Sequence, residues 1–152
     1  MPVLEFEDGR SLCESVAICR YFDEITPNEK HLFGRDAVEK AQVEMWHRVV
    51  EFQGLYTAFQ SFRNTTGIYS DRETCVKAWG EESKIRVEQF LPTLNTRLEN
   101  SKYVASEQFT IVDITAFIFI NFCTKALEIA VLESYPAIAK WFDSVSQRSA
   151  FQ

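Results

Sequence analysis

Apolar and polar positions divide the chain into a short extended start and a long helical remainder. The most apolar run, residues 109–124, predicts a helix buried on nearly every side. Thr110 and Asp113 have the spacing of a capping box with a carboxylate in place of the usual Glu or Gln, and Phe109 and Ile114 stand where a hydrophobic staple would form. An acid in so apolar a run needs partners, because an unpaired buried charge is very costly. Asp113 therefore reads as a structural cap rather than a catalytic acid.

Taken in order, residues 2–6 alternate weakly, Asp8-Gly9 offers a turn, and residues 11–13 resume the extended pattern, which predicts a hairpin. Residues 14–22 then show helical spacing with Glu14 and Ser15 at the start. Two strands are not a stable sheet in water, so this end calls for more strands or another chain. Residues 26–36, with Pro27, Asn28 and Gly34, read as a linker. From Asp36 the pattern is helical. Val38, Ala41, Met45, Val49, Phe52, Tyr56 and Phe59 recur in steps of three, four or seven and predict one long helix whose apolar stripe, with Phe62, packs into the core. Ser70 and Glu73 form a second capping signature, opening a helix over Val76, Trp79, Val87, Phe90, Leu94 and Leu98 that Pro92 should bend. Residues 126–132 read either as a continuation of the central helix or as a short separate one. Pro136 fits the first position of the last helix, and residues 148–152 are expected to trail over the surface.

Composition narrows the function classes. The chain has 152 residues, 46% of them hydrophobic, with 13 Phe and 3 Trp, enough for a real core and excluding a disordered chain. A net charge of -6 and a pI near 5.0 argue against a nucleic-acid surface. No run is long and apolar enough for a bilayer, and Glu5, Glu7 and Asp8 occupy the place where a signal peptide carries positive charge, so a cytoplasmic protein without membrane contact is expected. Cys13, Cys19, Cys75 and Cys123 lack zinc-site spacing, and the two His, His31 and His47, are far apart. No metal is expected, and most of the thiols are expected to be buried and reduced.

These residues together resemble a known family, the cytosolic glutathione S-transferases, and most closely the bacterial members. Residues 2–5, the Asp8-Gly9 turn and residues 14–21 look like the second half of the family's thioredoxin-like domain; residues 32–36 look like its interdomain linker, and 43–48 like the start of its helical domain. Tyr103-Val104-Ala105 with residues 109–114 is similar to its buried capping-box helix, and Tyr135-Pro136 through Trp141-Phe142 to its last main helix. The expected fold is mostly α, a transferase-type helical C-terminal domain over residues 36–152 preceded by a partial thioredoxin-like unit over 1–26 and a linker over 27–35.

The resemblance implies a glutathione site. Pro2 would be the cis-proline before the third strand, the backbone of Met1 would pair with the cysteinyl part of glutathione, and Glu14 and Ser15 match the acid-Ser pair that grips the γ-glutamyl end. A helix N-terminus with a Ser hydroxyl suits a carboxylate and an acid suits the ammonium beside it; read without the family, the pair would simply cap a helix. The family's first strand, first helix and second strand, with the Tyr, Ser or Cys that activates the thiol, have no counterpart in the sequence, so no catalytic residue is named. Cys13 stands next to the site and reads more readily as a packing thiol. His47 reads either as part of the pocket for the electrophilic co-substrate or as a surface position. Two functions follow: a glutathione transferase acting on small apolar electrophiles in its intact form, or a non-catalytic transferase-like module for binding or dimerisation. A homodimer is expected in either case.

Overall fold

The computed structural model describes residues 2–26 and 30–151. The expected roles of Met1 and of the bond that joins it to Pro2, like positions 27–29 of the linker, lie outside those residues.

Strands β1 (Val3–Glu5) and β2 (Ser11–Cys13) form an antiparallel hairpin in which Leu4 faces Leu12. The turn requires a left-handed residue, and Gly9 supplies it at φ 83°, while the Asp8 carboxylate accepts from the Arg10 amide and side chain. Helix α1 (Ser15–Ile25) follows, and neither it nor the hairpin contains a buried residue. Polar links hold α1 to the rest. Arg20 pairs with Glu44 at 2.8 Å and stacks its guanidinium over Phe33, Lys40 pairs with Glu24 at 3.1 Å, and Asp23 accepts from the Leu32 amide.

The segment after position 30 is an anchor. Phe33 is fully buried, Gly34 sits at φ 92° with no room for a Cβ above the Lys40 amide, and the Leu32 carbonyl accepts from Ile111 at 3.0 Å. Asp36 then caps α2 (Ala37–Val49), accepting from the amides of Val38 and Glu39 at 2.9 Å each. One long rod continues through a π-helical segment (Val50–Tyr56) into α3 (Thr57–Thr66), ended by Gly67 in the left-handed conformation.

This rod reverses the expected stripe. Val38, Met45, Phe52, Tyr56 and Phe59 are all exposed, and the buried line is Val43, His47, Val50, Gly54, Ala58 and Ser61. Small residues on that line let the neighbouring helices come close: a Cβ on Gly54 would lie 3.2 Å from the rings of Phe90 and Phe119. Helix α4 (Lys77–Glu99) runs antiparallel to α3 and continues through Pro92, which lies on its exposed side. The capping signature at 70–73 opens no helix. Those residues form turns, Glu73 pairs with Arg63, and α4 starts only at Lys77, where the Asn64 side chain from α3 takes the Val76 amide at 2.9 Å.

Helix α5 (Ile111–Ala126) runs through the core as expected, with eight buried residues including Val112, Phe119 and Ile120. Complete burial of each large apolar side chain contributes about 1.5–3 kcal/mol. Its capping box is formed: Asp113 Oδ2 accepts from the Thr110 amide at 2.9 Å, and Thr110 Oγ1 accepts from the Val112 amide. The other carboxylate oxygen accepts from the Val104 amide at 3.0 Å and from Trp141 Nε1 at 3.1 Å, so Asp113, fully buried, joins three parts of the chain. Burial pushes this carboxyl up, and those hydrogen bonds pull the other way.

Residues 126–132 resolve into the end of α5, a turn, and a short separate helix, α6 (Val131–Ser134). Pro136 opens α7 (Pro136–Ser146), as its lost amide allows. Arg148, Ser149 and Ala150 are exposed, as expected of a terminus that runs over the surface. Ser149–Phe151 forms a 3₁₀ turn that sets the Phe151 ring 4.5 Å from Phe117, itself stacked on Phe142, while Arg148 lies over Phe109. The cysteines also depart from expectation, since only Cys123 is buried and Cys13 and Cys19 are exposed. Among the described residues no helix is long and apolar enough to cross a membrane.

Candidate functional site

A cleft of about 720 Å³ opens between the start of α1 and the rod formed by α2 and the π segment. Glu14, Ser15, Arg20 and Tyr21 line one side, and Glu44, Arg48, Glu51 and Phe52 the other. Glu14 and Ser15, singled out through the family resemblance, lie on the first side. The sequence pattern missed the second, because Arg48 and Glu51 look like ordinary solvated charges on a helix; their one signal was their place beside His47.

Glu14 adopts φ 69°, ψ 121°, a backbone conformation that costs a non-glycine residue on the order of 1–3 kcal/mol. Its carbonyl accepts the first helical bond, from Ile18 at 3.1 Å, but no side chain caps α1. Asp36 shows what a capping acid does in this chain, with extended backbone and two amide bonds. Glu14 does neither. The first turn of α1 is left without a side-chain cap, and Ser15, Val16 and Ala17 from that turn line the cleft; uncapped amides at a helix start are groups that suit a carboxylate.

The opposite wall is a charge network. Arg48 Nε lies 3.2 Å from Glu44, Nη1 lies 2.5 Å from Glu51, and its guanidinium is over the Phe52 ring; the other oxygen of Glu44 holds Arg20. His47 is only 1% exposed, so it lies behind this wall and not on it. Its Nε2 is 2.9 Å from Thr115 Oγ1 on α5 and its Nδ1 is 3.0 Å from the Arg48 guanidinium. Burial, with the Arg48 charge second, holds its pKa below the ordinary 6.5. Beyond Phe52 the exposed rings of Tyr56 and Phe59 extend along the rod, and Phe59 meets Phe122 edge-on at 4.8 Å. Cys13 is exposed at the end of β2 and is not among the lining residues. Among the described residues no cluster of three or more His, Cys, Asp or Glu could hold a metal ion.

Known proteins share sequence and fold with this chain. Residues 1–30 match the glutathione S-transferase N-terminal domain model and residues 62–149 the glutathione S-transferase C-terminal domain model. A class Gtt2 glutathione S-transferase of Vibrio parahaemolyticus is 62% identical, with a TM-score of 0.90 over 100% of this chain and 71% of that one. Glutathione S-transferase 2 of Saccharomyces cerevisiae is 28% identical over 97% of this chain and 64% of its own length. Dichloromethane dehalogenase of Methylorubrum extorquens is 29% identical over 97% of this chain and 54% of its own length. The chain thus spans less than two thirds of those last two relatives. With both domain models matched in order, and a hairpin and a capped core helix where the sequence placed them, the chain belongs to the glutathione S-transferase family.

Proposed function

We propose that the chain carries the γ-glutamyl half of a glutathione site and one wall of a pocket for a small apolar electrophile, and that it works in glutathione transfer. The observation that supports this most is the strained Glu14 turn, which opens α1 without a side-chain cap and sets Glu14 and Ser15 in the lining of the cleft. Ser15 and the uncapped amides of α1 take the γ-glutamyl carboxylate, and Glu14 takes the ammonium. Pro2 and the Met1 backbone complete the site toward the cysteinyl part. The aromatic faces of Phe52, Tyr56 and Phe59 suit an apolar co-substrate, and one relative is named for a small organic halide, dichloromethane. In transfer the glutathione sulfur forms a bond to the electrophilic carbon as a leaving group departs with its electron pair, and the thiol proton goes to solvent. The domain bounds 1–26, 27–35 and 36–152, a cytoplasmic location and a homodimer belong to the same reading. Exposure of Val38 and Met45 supports the homodimer, and a sedimentation mass of twice the chain would agree with it.

Calorimetric titration with glutathione tests the site. Saturable binding that Ser15→Ala abolishes is expected; heat with neither protein would overturn the assignment. One observation favours the second reading, a non-catalytic transferase-like module: the half-site stands on a hairpin and helix with no buried residue. Glutathione binding without conjugation of 1-chloro-2,4-dinitrobenzene would select it.

A further inference from the structure

We propose that His47 is a positioning residue: from inside the helical core, its neutral ring holds the Arg48 guanidinium in place on the cleft wall, between Glu44 and Glu51. The ligand in this proposal rests on the glutathione reading; the positioning does not.

The hydrogen-bond polarity leaves one arrangement. A guanidinium only donates, so the His47 Nδ1 facing Arg48 at 3.0 Å must be an acceptor carrying a lone pair. The proton of the neutral ring is then on Nε2 and is donated to Thr115 Oγ1 at 2.9 Å. Thr115 in turn donates to the Ile111 carbonyl at 3.3 Å, in the first turn of α5. A single directed chain therefore runs from Arg48 in the cleft, through the buried ring, to the capped end of the core helix. All three bonds are made together only while His47 is neutral, and the Arg48 contacts to Glu44 and Glu51 are ion pairs in which Arg48 Nε and Glu51 Oε2 make no hydrogen bond, so the bond to His47 is what directs the guanidinium. Protonation at Nδ1 would remove the acceptor and set two cations against each other.

Arg48 matters because of what surrounds it. The groups facing the pair are Thr115 and the Ile111 carbonyl from α5, Glu44 from α2, Glu51 from the π segment and Arg20 from α1. With Arg48 in place, two carboxylates opposite Ser15 are neutralised in part, and a peptide carrying its own carboxylates can enter. With Arg48 swung out, Glu44 and Glu51 face the anion-accepting end of α1 with Arg20 as the remaining cation on this network, and like-charge repulsion weakens a ligand such as glutathione. The geometry thus gives a residue without access to the cleft control over the cleft's affinity.

Two substitutions separate this role from simple packing. In His47→Asn the amide oxygen stands near Nδ1 and can still accept from Arg48; in His47→Gln the amide nitrogen stands near Nε2 and keeps the Thr115 bond. Nitrogen-15 NMR of the unaltered chain should show the proton on Nε2 and resolved Arg48 guanidinium resonances, a sign of a held side chain. The Arg48 resonances should persist in His47→Asn and merge in His47→Gln, and glutathione should bind about tenfold more weakly to His47→Gln than to His47→Asn, the loss of a charge-assisted hydrogen bond. The proton on Nδ1 in the unaltered chain, which needs no variant to observe, would overturn the proposal. So would Arg48 resonances that stay resolved in His47→Gln, or equal affinities of the two variants. If the unaltered chain binds no glutathione, the site reading fails, and the NMR result alone still decides whether His47 holds Arg48.

Discussion

Replacing Asp113 by Ala should remove about 3–5 kcal/mol of stability, the range seen when a buried charge network loses one member. The carboxylate receives the amides of Val104 and Thr110, the Thr110 hydroxyl and the indole of Trp141, at 2.9–3.2 Å. The hydroxyl can turn elsewhere, but three N–H donors would be left in a site with no exposed surface, at roughly 1–3 kcal/mol each. Relief from burying the carboxylate offsets part of that sum. Against a typical total of about 5–15 kcal/mol, the variant should be marginal at room temperature. Urea unfolding followed by helical circular dichroism measures the loss. Trp141→Phe, milder, should cost about 2–3 kcal/mol, mostly the lost bond to a charged acceptor. If the indole bond is what it looks like, the double variant will show a coupling of about 1.5–3 kcal/mol. Additive losses, or an Asp113→Ala variant within 1 kcal/mol of the parent, would refute the account of Asp113 as the tie between α5, α7 and the 104–110 loop.

The remaining predictions concern separate regions. A thiol reagent should label Cys13 and Cys19 at once and half-buried Cys75 more slowly, whereas Cys123, fully buried and with its pKa pushed up to about 12, should react only on unfolding. Gly80→Ala should destabilise by about 1–3 kcal/mol despite the better helix former, because the new Cβ would lie 2.7 Å from Thr65 Cγ2 and 2.9 Å from its amide; a raised urea midpoint would contradict that packing. Hydrogen bonds from Arg35 hold Glu39 down to about 2, so its carboxyl should titrate there by carbon-13 NMR and return toward 4.5 in Arg35→Ala. His47 has a folded pKa below its unfolded 6.5, so the unfolded chain binds more protons in the window beneath 6.5; stability should be full above 6.5, decline as pH falls through the folded value, and lose that slope in His47→Gln.

Much of the fold was legible because local rules and tertiary packing agreed. The capping box at Thr110 and Asp113, the Asp8-Gly9 turn and Pro136 at a helix start each depend on a few neighbouring residues, and each appears as expected. At Ser70 and Glu73 the same local rule failed, because Arg63 draws Glu73 into an ion pair and Asn64 caps α4 from across the crossing. Glu14 and Ser15 stood out as a candidate site only through the resemblance to a family, since an acid followed by Ser at a helix start has an ordinary capping explanation. What the sequence does not carry is the backbone: Asp36 caps from extended backbone, and Glu14 holds a strained turn without capping.

The long rod shows why a regular apolar pattern can point the wrong way. Val38, Met45, Phe52 and Phe59 repeat every seven residues, and the large side chains dominate any reading by hydrophobicity. The face that packs is defined by what can come close. Gly54 and Ala58 bring the rod against α4 and α5, where Phe90 and Phe119 supply the bulk from the other side. The large residues are thereby left for the cleft and the outer surface. His47 follows from the same inversion, since a polar ring on the close-packed face must find partners at both nitrogens. It finds Thr115 inward and Arg48 outward, which joins the buried core helix α5 to the charge pattern of the cleft. A site built this way should lose ligand affinity when the core around Thr115 is altered, even where no cleft residue is touched.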